Sequence, residues 1–235
     1  MAVEGDLSAI ILCGGRGERL RPYTDSVPKA LVPLNGRPLL DHVLRYLRLS
    51  GVGRFVLCVG HLADQIERFV AGSAEFRDAT TCVNSGDASM TDRLLDASPH
   101  VGARALVCYG DTLANVEIGA LLNFHRACGG LATLTVYPLH SPFGIVAADA
   151  AGRVTAFAEK PRLPYWINIG YLLCEREAFA AMRRGADMDE FLSALARVGR
   201  LYAYRHSGKH LTVNTEKERA LAEEQIVEFL TVMDA

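Results

Sequence analysis

The sequence predicts an α/β fold, a three-layer sandwich built on a mostly parallel mixed sheet. Two observations carry this expectation. Short apolar runs alternate along the 235 residues with amphipathic stretches of helical spacing. The first run, "AIILCG" (9–14), is apolar at every residue rather than every second one, as a strand covered on both faces must be.

The elements follow in order. "RPLLDHVLRYLRLSG" predicts a helix: Pro38 sits in its first turn, Leu39, Leu40, Val43, Leu44 and Leu47 form one face, and Gly51 ends it. "RFVLCVG" (54–60) predicts a strand and "LADQIERFVAG" a helix. "ARALVCYGD" (103–111), "VEIGALLNFHRACGG" and "LATLTVYPL" (131–139) predict strand, helix and strand. "FGIVAAD" and "RVTAFAEKP" predict a hairpin around an Asp149–Gly152 turn. "INIGYLLC" predicts a further strand, with helices near 175–184 and 187–198. "RLYAYRHSG" predicts the last strand and 215–231 the last helix. With no repeat, low-complexity tract or Pro/Gly/Ser-rich linker, 1–235 reads as one domain.

Bulk properties exclude several classes of function. A formal net charge of -2 lacks the basic face that holds nucleic acid. No apolar run approaches the roughly 20 residues of a membrane helix, and "MAVEGDLSAIILCGG" shows no basic region or cleavage site, so neither a membrane nor a secretion signal is expected. The six cysteines include no Cys-x-x-Cys pair, and four close apolar runs ("AIILC", "FVLC", "ALVC", "YLLC"), as small buried hydrophobes do. Reduced thiols of this kind suit a cytoplasmic location.

The chemistry concentrates in "ILCGGRGERLRPYTDSVPKALVPLNGRPLL". Gly14, Gly15 and Gly17 let the backbone turn tightly and bring its N–H groups close to an anion. A nicotinamide reading fails, because Glu18, Arg19 and Leu20 stand where a third glycine is needed and the second strand ends in "CVGH" without an acid. Arg16, Arg19 and Arg21 add cations that a dinucleotide loop does not require. Lys29 lies between Pro28 and an apolar run, which holds its stem and aims its ammonium. A fixed cation at a phosphoryl centre stabilises charge that grows in the transition state. Asp111 ends an apolar strand at the carboxyl edge where open α/β sheets bind ligands; it suits either a Mg²⁺ ligand or the cap of the following helix.

"AIILCGGRGERLRPYTDSVPKALVPLNGRPLLDHVLRYL" resembles the N-terminal signature of the sugar-1-phosphate nucleotidyltransferases, Gly-Gly-x-Gly-x-Arg-Leu followed by Pro-Lys. The resemblance continues in order through "YGD" (109–111), "FG" (143–144), "EKP" (159–161), "INIG" (167–170) and "VNT" (213–215). It implies a Rossmann-like nucleotidyltransferase fold, with a nucleotide-binding part over about 1–115 and a sugar-phosphate part over about 116–235. It implies that Leu12, Gly14, Gly15, Arg16, Gly17 and Gly110 line the nucleotide. Arg19 would meet the departing β- and γ-phosphates and Lys29 the α-phosphate under attack. Asp111 and Asn214 would hold Mg²⁺, the latter through an uncharged oxygen where many members have aspartate. Lys160 would hold the sugar phosphate and Glu159 the ring hydroxyls, with Asn168, Gly144 and Gly170 completing that site. Glu18 departs from the small hydroxyl residue common there. A carboxylate beside a triphosphate must point away or pair with Arg16 or Arg21.

"SGDASMTDRL" resembles the Thr-Gly-Asp-Ser-Ser-Met-Thr-Gly-Gly-Arg-Leu segment of the cytidylyltransferases of this family, with Asp92 in place of the Gly-Gly pair and without their preceding insertion. It assigns base reading to Ser85, Gly86, Ser89 and Thr91, and favours CTP over UTP, GTP and dTTP. The opening "GRGERLRPYT" also resembles uridylyltransferases. The implied partners are an NTP, a hexose 1-phosphate and a second copy of the chain. Some relatives are binding-only regulatory subunits that lack the catalytic residues; here Arg19, Lys29, Asp111 and Lys160 are all present, which favours an enzyme.

Overall fold

The computed structural model describes residues 7–233. The first half contains β1 Ser8–Leu12, β2 Pro33–Leu34, β3 Arg37–Pro38, α1 Leu39–Leu49, β4 Arg54–Val59 and α2 Ala63–Gly72. Next come β5 Thr80–Asn84, α3 Met90–Ala97, β6 Arg104–Tyr109, β7 Thr112–Ala114, α4 Ile118–Cys128 and β8 Ala132–His140. The chain continues through β9 Ile145–Ala148, β10 Val154–Ala158, β11 Arg162–Glu175, α5 Arg176–Phe179 and α6 Met188–Arg197. It closes with β12 Leu201–Arg205, β13 His210–Thr212 and α7 Glu216–Met233.

Seven strands form the central sheet in the order β12-β8-β11-β6-β1-β4-β5. Every neighbouring pair is parallel except the two made by β11, which runs against β6 and β8. Alternate residues of the inner strands feed two cores. Ala9 and Ile11 of β1, Phe55 and Leu57 of β4, and Leu106 of β6 pack with α1, α2, α4 and α7. Ile10, Val56, Cys58 and Val107 pack on the opposite side with α3, α5 and α6. Burial on both faces explains why these strands read as unbroken apolar runs. The three-layer α/β sandwich with a mostly parallel sheet is therefore observed, and the 145–158 hairpin forms as expected around Asp149–Gly152.

Helix α1 shows how sequence becomes packing. Leu39, Leu40, Val43, Leu44 and Leu47 are all fully buried, and burying each side chain of this size contributes about 1.5–3 kcal/mol relative to exposure. Pro38 sits one residue before the helix, and Gly51 adopts a left-handed φ of 90° just past its end.

Three features differ from the sequence reading. The helix expected over 175–184 closes after Phe179, because the following chain leaves to meet α3: Gly185 N–H donates to Asp92 Oδ1 (3.0 Å) and Arg184 pairs with Asp96 (2.7 Å). The segment expected to read the base, 85–94, runs from the end of β5, the sheet's edge strand, into helix α3. Its Ser-x-x-Asp start was a legible helix signal: Ser89 Oγ accepts from Asp92 N–H (3.2 Å) and donates to Asp92 Oδ2 (2.9 Å). The antiparallel pair β7–β13, matching Thr112 with Thr212 and Ala114 with His210, had no sequence signal at all. Among the described residues no helix is long and apolar enough to cross a membrane.

Candidate active site

At the carboxyl ends of β1 and β6 the glycine loop opens into a cleft of about 610 Å³. The loop is held close to its neighbours: Cys13 N–H donates to Cys58 O (2.9 Å), and Gly110 N–H to Leu12 O (3.0 Å). A Cβ on Gly110 would lie 2.7 Å from Leu12 O, so only glycine permits this approach. Gly17 turns the chain at φ 64°, and Thr24 Oγ1 fixes it by donating to its carbonyl (2.9 Å).

Four side chains converge at the cleft. Lys29 Nζ donates to Asp111 Oδ2 at 2.5 Å and to Asn214 Oδ1 at 2.7 Å, while Arg19 Nη2 donates to the same asparagine oxygen at 3.0 Å. The Lys29 stem is held against Gly17, and its side chain is only 15% exposed. Asp111 follows β6 and precedes β7; its carbonyl accepts from Val213 N–H (3.0 Å). The β7–β13 ladder thus sets Asp111 beside Asn214. Thr112 Oγ1 steadies the other carboxylate oxygen (3.1 Å). Asn214 is placed by α7's start, where its N–H donates to Glu218 Oε2 (2.7 Å) and Thr215 Oγ1 accepts from Glu218 N–H (3.2 Å).

Among the described residues no group of three or more His, Cys, Asp or Glu side chains is arranged to hold a metal ion. Asp111 and Asn214 nevertheless offer the cleft two hard oxygen donors that already share one cation, the Lys29 ammonium. One or two protein oxygens completed by water and substrate phosphate is a donor set that suits Mg²⁺.

Glu18 is exposed, and the two arginines expected to pair with it are engaged elsewhere, Arg16 with Asp87 (3.0 Å) and Arg21 with Asp25 (3.1 Å). The Arg16–Asp87 pair spans the cleft mouth from glycine loop to the β5–α3 turn. Both partners are more than half exposed, so it contributes little to stability.

The residues expected to read the base divide. Ser85 Oγ donates to Asp96 (2.7 Å), Ser89 caps α3, and Thr91 is fully buried against the Ala186 carbonyl. Their hydroxyls are committed to holding α3, and none of the three lines the cleft; Asp87, Ala88 and Met90 do. Beneath that turn lies Arg93, which sequence reasoning did not single out. It is 5% exposed, and its guanidinium donates to Val59 O (2.8 Å), Gly86 O (2.7 Å), Ala88 O (3.1 Å) and Gly14 O (3.3 Å). One planar cation therefore ties the glycine loop, the end of β4 and the β5–α3 turn together. Once α3 is drawn, Arg93 falls on its buried face with Leu94 and Ala97, the signal that would have found it.

The expected sugar-phosphate residues form two groups. Gly144 lies against Glu159, whose Oε2 would be 3.0 Å from a Cβ there. Asn168 Oδ1 accepts from Gly170 N–H (2.9 Å), and Gly170, at φ 77°, leaves room for the Tyr109 ring at the cleft edge. Lys160 is exposed, two residues past the end of β10, and does not line the nucleotide cleft. All six cysteines are free thiols. Cys13, at the cleft, is buried, and burial together with neighbouring thiols and Asp111 pushes its pKa well up, so it stays protonated.

The nucleotidyl transferase family matches residues 8–204. The chain belongs to this family. The glucose-1-phosphate cytidylyltransferase of Salmonella typhi is 30% identical over 92% of the chain and 95% of its own length. The mannose-1-phosphate guanylyltransferase of Mycobacterium tuberculosis is 29% identical over 84% of the chain and 58% of its own length. The crystal structure of HddC from Yersinia pseudotuberculosis superposes with a TM-score of 0.74 over 93% of this chain and 99% of that one, at 18% identity, which shows a shared fold. The resemblance to sugar-1-phosphate nucleotidyltransferases read from the motifs is thus borne out for the family; the relatives named differ in the base they transfer.

Proposed function

We propose that this nucleotidyl transferase uses CTP and a hexose 1-phosphate to make a CDP-sugar and pyrophosphate. The observation that carries the transfer reaction is the convergence of Arg19, Lys29, Asp111 and Asn214 on one cleft walled by the glycine loop. A phosphate oxygen of the sugar 1-phosphate attacks the α-phosphorus of CTP. The bond from that phosphorus to the bridging oxygen breaks, and the pair of electrons leaves with pyrophosphate. Lys29 holds the α-phosphoryl oxygens, Arg19 the departing β- and γ-phosphates, and the glycine-loop N–H groups the remaining oxygens. Asp111 and Asn214 would hold Mg²⁺, which would supply further neutralisation of the phosphate charge. Lys160, Glu159 and Asn168 bind and orient the sugar phosphate. Four functional groups at one cleft argue against a binding-only subunit.

No covalent enzyme intermediate forms in this scheme. The cleft offers cations and a carboxylate but no activated nucleophile, since Cys13 is held as the thiol. Incubation with labelled CTP alone is expected to leave the protein unlabelled after denaturation. A nucleotidylated protein would overturn direct displacement.

The cytidylyl preference rests on the resemblance of "SGDASMTDRL" to that subgroup and on the 30% identity to a cytidylyltransferase over most of both chains. Cytosine presents a donor at its 4-amino group and an acceptor at N3, the reverse of uracil and thymine. The cleft face of the segment is its turn at Asp87 and Ala88, with Gly86 at φ 60° allowing the main chain to come close. A main chain that accepts from the amino group and donates to N3 leaves buried groups unpaired against the wrong pyrimidine, at about 1–3 kcal/mol per group. In a mixture of CTP, UTP, dTTP, GTP and ATP at equal concentration, CTP is expected to be consumed first. Preferential use of another nucleotide would defeat this assignment and leave the transfer reaction standing.

A further inference from the structure

We propose that the sugar 1-phosphate used by this protein bears a second acidic group, a carboxylate or a further phosphate, taken by Arg162 and Arg205 beside the indole of Trp166. This rests on the transfer reaction proposed above and narrows its substrate. Arg162 Cζ lies 5.0 Å and Arg205 Cζ 4.9 Å from the centroid of that one ring. The indole quadrupole attracts both cations, and so holds near each other two guanidinium groups that would otherwise repel. Sheet register sets them beside the candidate sugar site. Arg205 pairs with Val136 of β8 and Val136 with Asn168 of β11, so the three side chains share one face. Trp166, opposite Pro138, and Arg162, opposite His140, lie further along the same face. Asn168 in turn accepts from Gly170 N–H, and Gly170 lies against the Tyr109 ring at the nucleotide cleft. The carboxyl ends of β8 and β12 fall at the sheet edge that carries the cleft, because both strands run parallel to β6.

Charge complementarity names the missing group. Among the described residues neither Arg162 nor Arg205 meets a carboxylate, whereas the equally exposed Arg16, Arg21, Arg68, Arg183 and Arg184 all do. The chain carries 27 acidic residues, yet none occurs in 132–148, 160–174 or 201–215, the segments that build this face. Glu159, just before them, keeps its carboxylate at Gly144. The face is thus cationic and free of internal anions where the sugar is expected. Lys160, two residues before Arg162, is proposed above to hold the 1-phosphate, which leaves the two arginines for a different group. A neutral hexose leaves both to water. A carboxylate or phosphate on the far side of the ring accepts from them through paired N–H donors.

The test compares glucuronic acid 1-phosphate, glucose 1,6-bisphosphate and glucose 1-phosphate as substrates, read as pyrophosphate release with Mg²⁺. A mixture of CTP, UTP, dTTP, GTP and ATP is supplied, so that base preference does not enter. At least one acidic sugar is expected to exceed glucose 1-phosphate in kcat/KM by roughly 10-fold or more, and the arm that does so tells carboxylate from phosphate. Arg162→Ala and Arg205→Ala, both at exposed positions, should each bring that ratio down towards one. Trp166 is the only tryptophan in the chain, so its fluorescence reports binding without turnover. Titration with each sugar phosphate in the absence of nucleotide should show the same preference. Glucose 1-phosphate used as well as both acidic sugars, or a ratio unchanged in either variant, would overturn the proposal. Absence of turnover with all three sugars would remove the transfer reading, and the titration then decides separately: equal or absent binding of the acidic sugars overturns this proposal, and tighter binding that both substitutions weaken upholds it.

Discussion

Lys29→Ala is expected to lower turnover by on the order of 10²-fold or more, measured as pyrophosphate release from CTP and sugar 1-phosphate with Mg²⁺. Lys29 is the centre of the candidate site: its ammonium is the shared partner of Asp111 and Asn214, and its stem is fixed against Gly17. Truncation removes a cation that is positioned before substrate arrives, so the loss should appear in kcat rather than only in KM. The fold should survive, since both lost contacts open onto the cleft, where water can replace the ammonium. Arg19→Ala should fall by a similar factor. Asp111→Ala should abolish the Mg²⁺-dependent reaction. Near-normal turnover of Lys29→Ala, with native folding, would show that the glycine-loop cleft is not where transfer occurs.

Arg93→Ala should act through structure. Four carbonyls, on Gly14, Val59, Gly86 and Ala88, lose a charge-assisted partner at once. Those facing the cleft regain water, and Gly14 O keeps the His61 N–H (3.2 Å), but Val59 O loses its guanidinium partner beneath the loop. Leaving a buried acceptor unsatisfied costs about 1–3 kcal/mol. For a chain of this size that corresponds to a fall of roughly 2–12 °C in thermal midpoint. Arg93→Lys should recover little, because an ammonium cannot reach four fixed carbonyls with the guanidinium's planar fork. Gly14→Ala attacks the same arrangement from the other side, since its Cβ would lie 1.8 Å from Arg93 Nη1 and would force the guanidinium out. The two substitutions together should cost less than their sum, because each removes the same set of contacts. A midpoint unchanged in Arg93→Ala would show that the loops are held without it.

Much of the fold was legible because its signals are local. Ala9 to Leu12 read as a buried parallel strand from four consecutive apolar residues, and both cores confirm that the two faces are covered. Helix α1 was written in the spacing of five aliphatic residues. The glycine loop and Lys29 were legible for the same reason: a tight turn needs glycine, and a lysine set between a proline and an apolar run has few places to go. The hairpin at β9–β10 was marked by its turn, although nothing in its alternation foretold that both strands would be exposed throughout.

The assembly of the site was decided elsewhere. Lys29 meets residues 82 and 185 positions away, and only the three-residue ladder of β7 with β13 brings Asp111 and Asn214 together to receive it. Such a ladder is too short to show a period in sequence. The hydroxyls of Ser85, Ser89 and Thr91 looked free for a ligand, and became fastenings for α3 once Asp96, Asp92 and the Ala186 carbonyl came within reach. Arg93 carried no local signal; its role arises because the packed loops bring four carbonyls within reach of one guanidinium. By itself the sequence determined which segments must be buried and where the chain turns, because hydrophobic period and glycine freedom act between near neighbours. Only the tertiary structure decided which polar groups face each other, because a buried donor takes its partner from whatever backbone the packed elements bring beside it.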